Sequence, residues 1–547
     1  PRKGDLLAHW AASMLRSALK SMDLSCDVCV IGLGFAGIAA VRHLRSEGVN
    51  VIAIEAKGRV GGRACTMQLD TGEMLECGAQ WLHGTEGNPL YDFAKTYDLL
   101  KPPNARNAAA AGPGRFFRAH GKAEFRNEEG EAEPHQRVEL VNKVWQRLSD
   151  EASDAKRAAA LPADLSLEDA AQTYNQEILQ KDPASAGVIG WFSRLQEAIE
   201  GNPLADISAH HYATFEDLSG PNVRVWGGMQ TLAQRIFDDI DIDQSNVLLG
   251  TGVTRIRYDA DEGGGCVVEA LRQCEPSPPY WCVPREGETT EQTDDGRDQD
   301  EEAGHRVVIK CRVVIVTVGL GVLKAAHSSL FDPPLPEWKR RAIEAGGIGV
   351  VDKLFVRCSP SSVDGHSPSH ARRINWTRPL PRADGGSQGD DWTAGIYAFD
   401  PILPAVPSTS LLMTSWLVGP CASQLEKRAV RQPTDVMHEY CRAFSKATGD
   451  EWTPGDGAKS VSLLCTQWGE DECFRGSYSY LSVRWEGQGG CVCDVLGRAV
   501  GERGNKVLFA GEATNRRHYA TVHGAYESGV REAAKAMDVL KSIVMRQ

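Results

Sequence analysis

The alternation of apolar and polar positions predicts two short buried strands near the N-terminus, joined by one helix. Val28–Ile31 is a continuous apolar run, a glycine-rich turn follows it, and Val51–Ile54 is a second apolar run that ends at the acidic Glu55. Apolar runs this short, bounded by turn signals, are typical of strands buried on both faces. The pattern therefore predicts a β-α-β unit over residues 28–55.

Apolar periodicity also predicts the elements in the rest of the chain. Residues 136–200 have a mostly helical pattern, and residues 521–542 have the pattern of a closing helix. Shorter apolar runs predict strands at 247–249, 253–258, 267–270, 307–318, 392–399, 411–418 and 507–510. Residues 272–304 carry proline-rich and acidic runs without apolar periodicity, which is typical of a solvated, disordered insertion.

These elements predict an α/β fold: a discontinuous Rossmann-like domain that binds a dinucleotide, with an inserted α+β substrate-binding (cap) domain. The expected boundaries are approximate. They assign 26–100, 205–260 and 460–547 to the dinucleotide-binding domain, 101–204 and 307–459 to the substrate-binding domain, and 1–25 to a basic N-terminal extension. Such a discontinuous layout suits a protein that encloses one cofactor from both ends.

Composition and charge narrow the classes of partner. The formal net charge is −13, which argues against a general nucleic-acid binder and is compatible with a cationic substrate. No apolar run approaches the ~18 residues of a membrane span. The 15 cysteines are odd in number and irregular in spacing, which suits a reducing compartment rather than a disulfide framework. We therefore expect a cytoplasmic protein, with nuclear entry left open, and assign no metal site.

The first glycine-rich turn carries the chemistry of a phosphate site. Gly32 allows the tight turn, Gly34 lets the backbone approach a pyrophosphate, and Gly37 lets the helix pack close to the strand. The helix N-terminus then presents unpaired N–H groups and the positive end of its dipole to the phosphates. Glu55 follows the second strand, where its carboxylate accepts hydrogen bonds from a ribose. The alternative is a turn that serves packing only.

Four stretches together resemble the flavin-dependent amine oxidase family, which includes monoamine oxidases, polyamine oxidases and lysine-specific histone demethylases. They are residues 31–37 with Glu55, 59–63, 78–84, and 511–514 through 523–524. Within the family, residues 474–480 and 519–524 are most similar to polyamine oxidases of the spermine oxidase and N1-acetylpolyamine oxidase type. The resemblance implies a discontinuous FAD-binding domain and FAD as the cofactor.

The resemblance also implies which residues hold the FAD. Monoamine oxidases tether their flavin through a cysteine, and Ser477 stands at the matching position, so we expect a non-covalent FAD. The residues expected to contact it are Gly32, Gly34, Phe35, Ala36, Gly37, Glu55, Arg63, Gly78, Ala79, Gln80, Trp81, Val253, Trp468, Gly511, Glu512, Thr521 and Val522.

The implied reaction is oxidation of a polyamine, spermine or N1-acetylated spermine or spermidine, at a carbon next to a secondary amine. Hydride transfer to flavin N5 would leave an iminium, which water hydrolyses to an aldehyde and a smaller amine, and oxygen would then reoxidise the flavin and give hydrogen peroxide. By resemblance, Lys353 holds a water against flavin N5 and His83 pairs with a substrate amine. The alternatives are an edge-strand lysine that points to solvent and a turn histidine that satisfies backbone groups.

Further residues are expected to bind the substrate. Tyr478 would supply one aromatic wall, Thr521 could hydrogen-bond the far amine, and Trp81 is also expected to bind the substrate. Glu197 and Glu200 lie one turn apart on a cap helix, so both can face one cleft. Their alternative is a solvated acidic face. The expected partners are a small cationic polyamine and oxygen, with no nucleic acid and no membrane, while the preferred polyamine and the oligomeric state are open.

Two other functions stay open at this point. Another flavin amine oxidase, acting on amino acids or methyl-lysine, is one of them, and an amino-acid oxidase would need an arginine to bind the carboxylate, which the sequence does not identify. The second is a flavin-binding scaffold without catalysis, against which the retained His83 and Lys353 argue.

Overall fold

A parallel sheet lies at the centre of the fold. The computed structural model describes residues 22–69, 72–100, 123–259, 265–272, 280–282, 305–358, 373–380, 391–402, 411–454, 460–485, 490–501 and 506–545. The strands of the parallel sheet, in spatial order, are Val507–Phe509, Val313–Val316, Val28–Ile31, Val51–Ile54 and Val247–Leu248. The N-terminal β-α-β unit therefore pairs with strands from the middle and from the end of the chain, as the α/β prediction requires.

Two helices pack together against the parallel sheet. Phe35–Ser46 follows the first strand, and the closing helix Val522–Val544 lies against it. Their apolar faces share one core with Val28, Val51 and Leu508, all of which are buried. Because the helix Phe35–Ser46 is fixed on both sides, its N-terminus is held at the carboxyl ends of the strands.

The run 307–318, predicted as one strand, is two strands in two sheets. His305–Cys311 belongs to a mixed sheet, and Val313–Val316 belongs to the parallel sheet. The backbone N–H groups of Arg312 and Val313 both donate to the carbonyl of Asp27, which moves the chain from one sheet to the other. The expected domain boundary at 307 is therefore wrong, since Val313–Val316 lies in the dinucleotide-binding sheet.

The mixed sheet covers one side of the parallel sheet. Its strands, in spatial order, are Met22–Ser25, His305–Cys311, Cys266–Arg272, Thr251–Tyr258 and Phe331–Asp332. Buried residues of both sheets, including Ile52, Ile256 and Val314, form one core. The helices Leu320–Leu330, Glu337–Ala345 and Val492–Leu496 pack beside this core.

A large, mainly antiparallel sheet forms the floor of the substrate-binding part. Its strands, in spatial order, are Tyr280–Cys282, Ser460–Thr466, Val351–Cys358, Leu411–Val418, Ala398–Ile402, Ile374–Trp376 and Glu124–Arg126, with Thr453–Pro454 beside Ser460–Thr466. The helices Gly419–Arg431 and Pro433–Thr448 cover one face. Ser460–Thr466 thus lies in this sheet, so the expected boundary at 460 is also wrong.

The predicted disordered insertion contains one described strand. Tyr280–Cys282 pairs antiparallel with Ser460–Thr466 at the sheet edge. The backbone groups of these three residues pair with the exposed edge of the sheet. The prediction of disorder is therefore wrong for Tyr280–Cys282. The rest of 273–304, like residues 1–21, lies outside the described residues.

Helices of residues 135–200 form the cap above the large sheet. They are His135–Ala152, Ala155–Ala158, Leu167–Lys181 and Ala186–Glu200. Val141, Trp145, Ile178 and Trp191 are buried in one core together with Ala398 of the large sheet. Smaller elements complete the fold: the helices Pro89–Thr96 and Met229–Asp238 and the paired strands Thr66–Gln68 with Met74–Glu76 and Gly347–Gly349 with Tyr478–Tyr480. None of the helices in the described ranges is long and apolar enough to span a membrane.

Candidate active site

One large cavity runs between the parallel sheet, the large sheet and the cap. Its volume is about 1980 Å³, which exceeds the range of ~300–1,000 Å³ typical of a drug-sized ligand. Gly34 and Glu55 line one end, Lys353 lines the middle, and Glu200 of the cap lines another part of the wall. A cavity of this size and lining can hold a long cofactor and a substrate together.

The glycine turn presents free backbone N–H groups to the cavity. Gly34 is the N-cap of Phe35–Ser46 and has no side chain that could cap the helix. The first turn of the helix contains no acidic residue. A Cβ atom at Gly34 would have only the backbone of Gly61 and Gly62 near it, at 3.9–4.0 Å, so the cavity reaches the main chain here. The helix N-terminus can therefore bind a pyrophosphate through its amides and dipole.

Glu55 is held in place by backbone donors. Its Oε2 accepts from Leu33 N at 2.7 Å and its Oε1 accepts from Lys57 N at 2.8 Å. Burial raises the pKa of Glu55, while these hydrogen bonds oppose the rise. The carboxylate lines the cavity with lone pairs to spare, which fits the hydroxyl groups of a ribose.

An ion pair joins the two halves of the dinucleotide-binding part. Arg63 Nη1 donates to Glu512 Oε1 at 2.8 Å and to the Ser477 carbonyl at 2.8 Å. Glu512 Oε2 also accepts from Ala520 N at 2.9 Å and from the Ser479 hydroxyl. Both side chains line the cavity, so a cofactor lying against this pair contacts segments from both chain ends.

Ser477 makes its own contacts with the neighbouring strand. Its hydroxyl donates to the Val351 carbonyl at 2.9 Å and accepts from Val351 N at 2.8 Å. The residue lines the cavity, yet its hydroxyl is engaged by the backbone. Serine has no sulfur atom, so Ser477 cannot form the thioether that a cysteine forms.

Lys353 lies on an internal strand, so the edge-strand alternative is wrong. Val351–Cys358 pairs on one side with Leu411–Val418 and on the other with Ser460–Thr466. The side chain of Lys353 is only 4% exposed and borders the cavity. A lysine in this position requires partners, because burying an isolated ammonium group is costly.

The ammonium group of Lys353 has three acceptors. Its Nζ donates to the carbonyls of Glu76 and Gly78 at 2.7 and 2.6 Å and to Gln80 Oε1 at 3.2 Å. The Nζ also lies 4.7 Å from the centre of the Trp416 ring. Burial lowers the pKa of Lys353 to about 8, against an opposing effect of Glu76. All three donors are in use, so a water held by Lys353 must replace the longest contact, that to Gln80.

His83 lines the cavity without a side-chain hydrogen bond to any described residue. Burial lowers the pKa of His83, so the imidazole is neutral at neutral pH. A neutral imidazole offers one acceptor nitrogen and one donor nitrogen. The structure therefore places a group that can accept a hydrogen bond from an amine on the cavity wall, as the sequence predicts.

An acidic and aromatic arm of the cavity lies beneath the cap. Glu200, at the C-terminal end of Ala186–Glu200, lines the wall with Asp217, Tyr212 and Tyr478. Burial raises the pKa of Glu200 to about 7, although Gln196 donates to its carboxylate at 2.8 Å. Neither Glu200 nor Asp217 forms an ion pair within the described part of the chain. The arm is therefore a place for an ammonium group.

Three residues have roles that differ from the sequence-based expectation. Glu197 is not on the cavity wall, because its carboxylate turns to Leu204 N at 3.5 Å and to the charge of Arg194. Gly37 allows the close packing expected of it, against the carbonyl of Gly32, but it is not on the cavity wall, where a contact with FAD is also expected. The Thr521 hydroxyl caps the closing helix, since it donates to the His518 carbonyl at 2.7 Å and accepts from Gly524 N at 3.0 Å.

Thr521 and the other residues expected at the site, apart from Glu197 and Gly37, meet at the cavity. These wall residues are Gly32, Gly34, Phe35, Ala36, Glu55, Arg63, Gly78, Ala79, Gln80, Trp81, His83, Glu200, Val253, Lys353, Trp468, Tyr478, Gly511, Glu512, Thr521 and Val522. Sequence reasoning missed Asp217, Arg224 and Trp416, which also line it. Only tertiary contacts reveal these three, although Arg224 stands near the Gly227-Gly228 turn, a local signal of a special backbone site.

The chain is similar to known proteins along most of its length. A family model described as flavin containing amine oxidoreductase matches residues 35–537. The chain is 27% identical over 523 residues to lysine-specific histone demethylase 1 homolog 1 of Oryza sativa subsp. japonica, covering 93% of this chain and 52% of that protein. It is 27% identical over 567 residues to polyamine oxidase 1 of the same organism, covering 93% of this chain and 96% of that protein.

A solved structure supports the fold. An engineered variant of putrescine oxidase superposes with a TM-score of 0.60 at 18% identity, covering 94% of this chain and 100% of that chain. Likeness at this identity shows a shared fold.

The chain spans about half the length of the histone demethylase relative and nearly the full length of the polyamine oxidase relative.

Proposed function

The chain belongs to the flavin containing amine oxidoreductase family, and from this membership we propose that it oxidises a polyamine at a carbon next to a secondary amine. The proposed substrates are spermine and N1-acetylated spermine or spermidine, with oxygen as the final acceptor. The products are then an aldehyde, a smaller amine and hydrogen peroxide. The observation that carries the proposal is the pair Glu200 and Asp217, which have no ion-pair partner among the described residues and share one cavity with Lys353.

FAD is the cofactor of the chain. The residues fit it: the helix N-terminus at Gly34 would hold the pyrophosphate, Glu55 would hold the ribose, and Arg63 with Glu512 would flank the flavin side. When bound, FAD accepts the hydride from the substrate carbon. We propose that it is not covalently attached, since Ser477 has no thiol. Acid precipitation should release all of the yellow pigment, and pigment that stays on the polypeptide would contradict the proposal.

Lys353 and His83 handle protons at the reacting centre in this proposal. The reacting amine must be neutral, because its lone pair stabilises the positive charge that develops as hydride leaves. His83, whose pKa is lowered, accepts a hydrogen bond from the substrate amine. Lys353 holds a water at the position of its Gln80 contact, where the water can later attack the oxidised product.

Aromatic walls orient the chain of methylene groups. The hydroxyl of Tyr478 donates to the Ala198 carbonyl at 2.5 Å, which fixes the ring beside Glu200. Trp416 lies against the Nζ of Lys353. Apolar rings exclude water from the reacting carbon, and their faces attract ammonium groups.

Glu200→Gln should weaken binding of a cationic ligand by about tenfold above pH 7 and by little below pH 6. The pKa of Glu200 is raised to about 7, so its carboxyl group is neutral below that pH and charged above it. The measurement is the inhibition constant of 1,8-diaminooctane against pH in both proteins.

Glu197→Gln is the matched control, because Glu197 lies on the same helix and off the cavity wall. It should leave the inhibition profile of the wild-type protein unchanged. An identical pH profile for wild type and Glu200→Gln would remove Glu200 from the cation site.

A hydrogen peroxide assay tests the proposed function itself. Spermine, N1-acetylspermine and N1-acetylspermidine are compared with amino acids and with a dimethyl-lysine peptide at equal concentrations. Peroxide from the polyamines alone supports the proposal. Peroxide from the amino acids or the peptide alone assigns the cavity to a different amine, and no peroxide from any of them contradicts an oxidase.

A further inference from the structure

Arg224 carries an unneutralised positive charge on the wall of the cavity. Its guanidinium group lies 4.6 Å from the centre of the Trp81 ring. The side chain is exposed, and its exposed surface borders the cavity. No described residue accepts a hydrogen bond from Arg224 or forms an ion pair with it. The cavity wall thus carries a rigid, planar group whose five N–H donors have no acceptor among the described residues.

The carboxylates near Arg224 are occupied elsewhere. Glu76 Oε1 accepts from Met229 N at 2.7 Å, and Glu76 Oε2 accepts from Thr66 Oγ1 at 2.7 Å. Asp400 pairs with Arg373 Nη1 at 2.9 Å. Glu76 and Asp400 act on the pKa of Arg224 from a distance, while desolvation lowers it. The nearest acidic groups therefore leave the guanidinium donors unused.

Arg224 lies on the reacting side of the cavity. It packs on Trp81, which adjoins Gln80, and Gln80 Oε1 contacts Lys353 Nζ at 3.2 Å. The charge of Arg224 also reaches Lys353, whose pKa it lowers further. An ammonium group placed between these two cations would be repelled. An oxygen acceptor placed there would accept hydrogen bonds from donors that no described residue uses.

Two regions of the cavity wall carry opposite charges and therefore favour different chemical groups. Glu200 and Asp217 offer acceptors without cations in one arm, whereas Arg224 offers donors without acceptors on the wall near Lys353. A substrate that matches both has an ammonium group at one end and an uncharged or anionic oxygen group at the other. A free polyamine, which is cationic at both ends, matches only the acidic arm.

We propose that Arg224 determines specificity by binding an acceptor oxygen, an acyl carbonyl or a carboxylate, at one end of the amine substrate. The inference rests on the proposed function, because it takes the reacting amine from that reaction. The Trp81 ring, whose centre lies 4.6 Å from the guanidinium carbon, holds this group by a cation–π contact before the substrate enters. The acyl and carboxylate forms share this chemistry, and matched substrates separate them.

Three spermidine-based substrates test the proposal on the FAD-loaded protein. They are spermidine, N1-acetylspermidine, and the analogue in which a carboxylate replaces the aminomethyl end of the aminopropyl arm. We expect the wild-type protein to have a KM about tenfold or more lower for one or both oxygen-bearing substrates than for spermidine. The substrate with the lowest KM identifies the oxygen group.

Arg224→Gln should remove most of this preference while leaving the KM for spermidine unchanged or lower. Arg224→Lys keeps the charge without the planar fork, so it should retain part of the preference for the carboxylate and lose that for the acetyl group. Arg341→Gln, an exposed arginine that pairs with Glu337 on a remote helix, is the control and should behave as wild type. FAD content and the unfolding midpoint are measured for each variant.

Several outcomes would overturn the assignment. Equal KM changes for all three substrates in Arg224→Gln would make Arg224 a general structural residue. Loss of FAD from Arg224→Gln and Arg224→Lys alike would assign Arg224 to the cofactor. Oxidation of spermidine with unchanged KM ratios in the variants would reject the role of Arg224 and leave the proposed function standing. Failure of these three amines, and of spermine and N1-acetylspermine, to react in the wild-type protein would reject the proposed function first.

Discussion

Lys353→Met should retain bound FAD and turn over about tenfold or more slowly than the wild-type protein. The methionine side chain fills a similar volume in the internal strand Val351–Cys358, but it cannot donate a proton and cannot hold a water by a hydrogen bond. It cannot donate the hydrogen bonds that Lys353 makes to Glu76, Gly78 and Gln80, none of which belongs to the glycine turn that would bind the pyrophosphate. The measurements are turnover with N1-acetylspermine and the flavin content of the purified variant.

Lys310→Met is the control for this substitution, because Lys310 is exposed on a strand away from the cavity. It should match the wild-type protein in turnover and flavin content. Unchanged turnover in Lys353→Met would remove the role of Lys353, and loss of FAD would make it a cofactor-binding residue instead.

Lys353→Met should also change how the free energy of unfolding depends on pH. The pKa of Lys353 is about 8 in the folded protein and 10.5 without the protein environment. Between these values the unfolded chain binds more protons than the folded protein, so this group makes the free energy of unfolding rise with pH. The rise should be smaller in the variant when both are unfolded in denaturant at pH 8 and pH 10.

Gly37→Ala should abolish FAD retention and lower the free energy of unfolding by roughly 3 kcal/mol. A Cβ atom at Gly37 would lie 1.8 Å from the carbonyl oxygen of Gly32 and 2.9 Å from its carbonyl carbon. Both atoms belong to the backbone of the first turn, so a side-chain rotation does not relieve the collision. The helix Phe35–Ser46 must then move away from the strand, and its N-terminus leaves the phosphate position.

Gly58→Ala is the matched control, since Gly58 is exposed near the same site and an added Cβ meets no atom within 4 Å. It should retain FAD and unfold at the wild-type denaturant midpoint. Denaturant titration and flavin absorbance measure both variants. A Gly37→Ala protein that is as stable and as yellow as the wild type would show that close packing at this turn is not required.

The fold class and the cofactor are predictable from the sequence because the signals are local. The apolar runs at 28–31 and 51–54, the glycines between them and Glu55 lie within one short segment, and both predictions are confirmed. The prediction of one strand at 307–318 is wrong, because apolar periodicity does not indicate which sheet a strand joins. The change at Arg312 depends on its hydrogen bond to Asp27, a contact between distant parts of the chain.

The site is predictable only where a motif positions the residue. Lys353 and His83 reach the cavity as expected, but helical spacing alone suggests that Glu197 shares the wall with Glu200, and the loop at Leu204 takes its carboxylate instead. The sequence does not identify Arg224, because its function depends on Trp81 beneath it and on the absence of a free carboxylate among the described residues nearby. Thr521 is predicted as a substrate ligand, and its place at the start of a helix explains the cap that it forms.

The central claim is that FAD and an amine substrate meet in the cavity beside Lys353. Its most direct test is the absorption spectrum of the purified protein, recorded without oxygen before and after N1-acetylspermidine is added. The expected result is a flavin absorption band that bleaches on addition of the amine and returns when air is admitted. A protein without the flavin band, or a band unchanged by N1-acetylspermidine, spermidine and spermine alike, would contradict the claim.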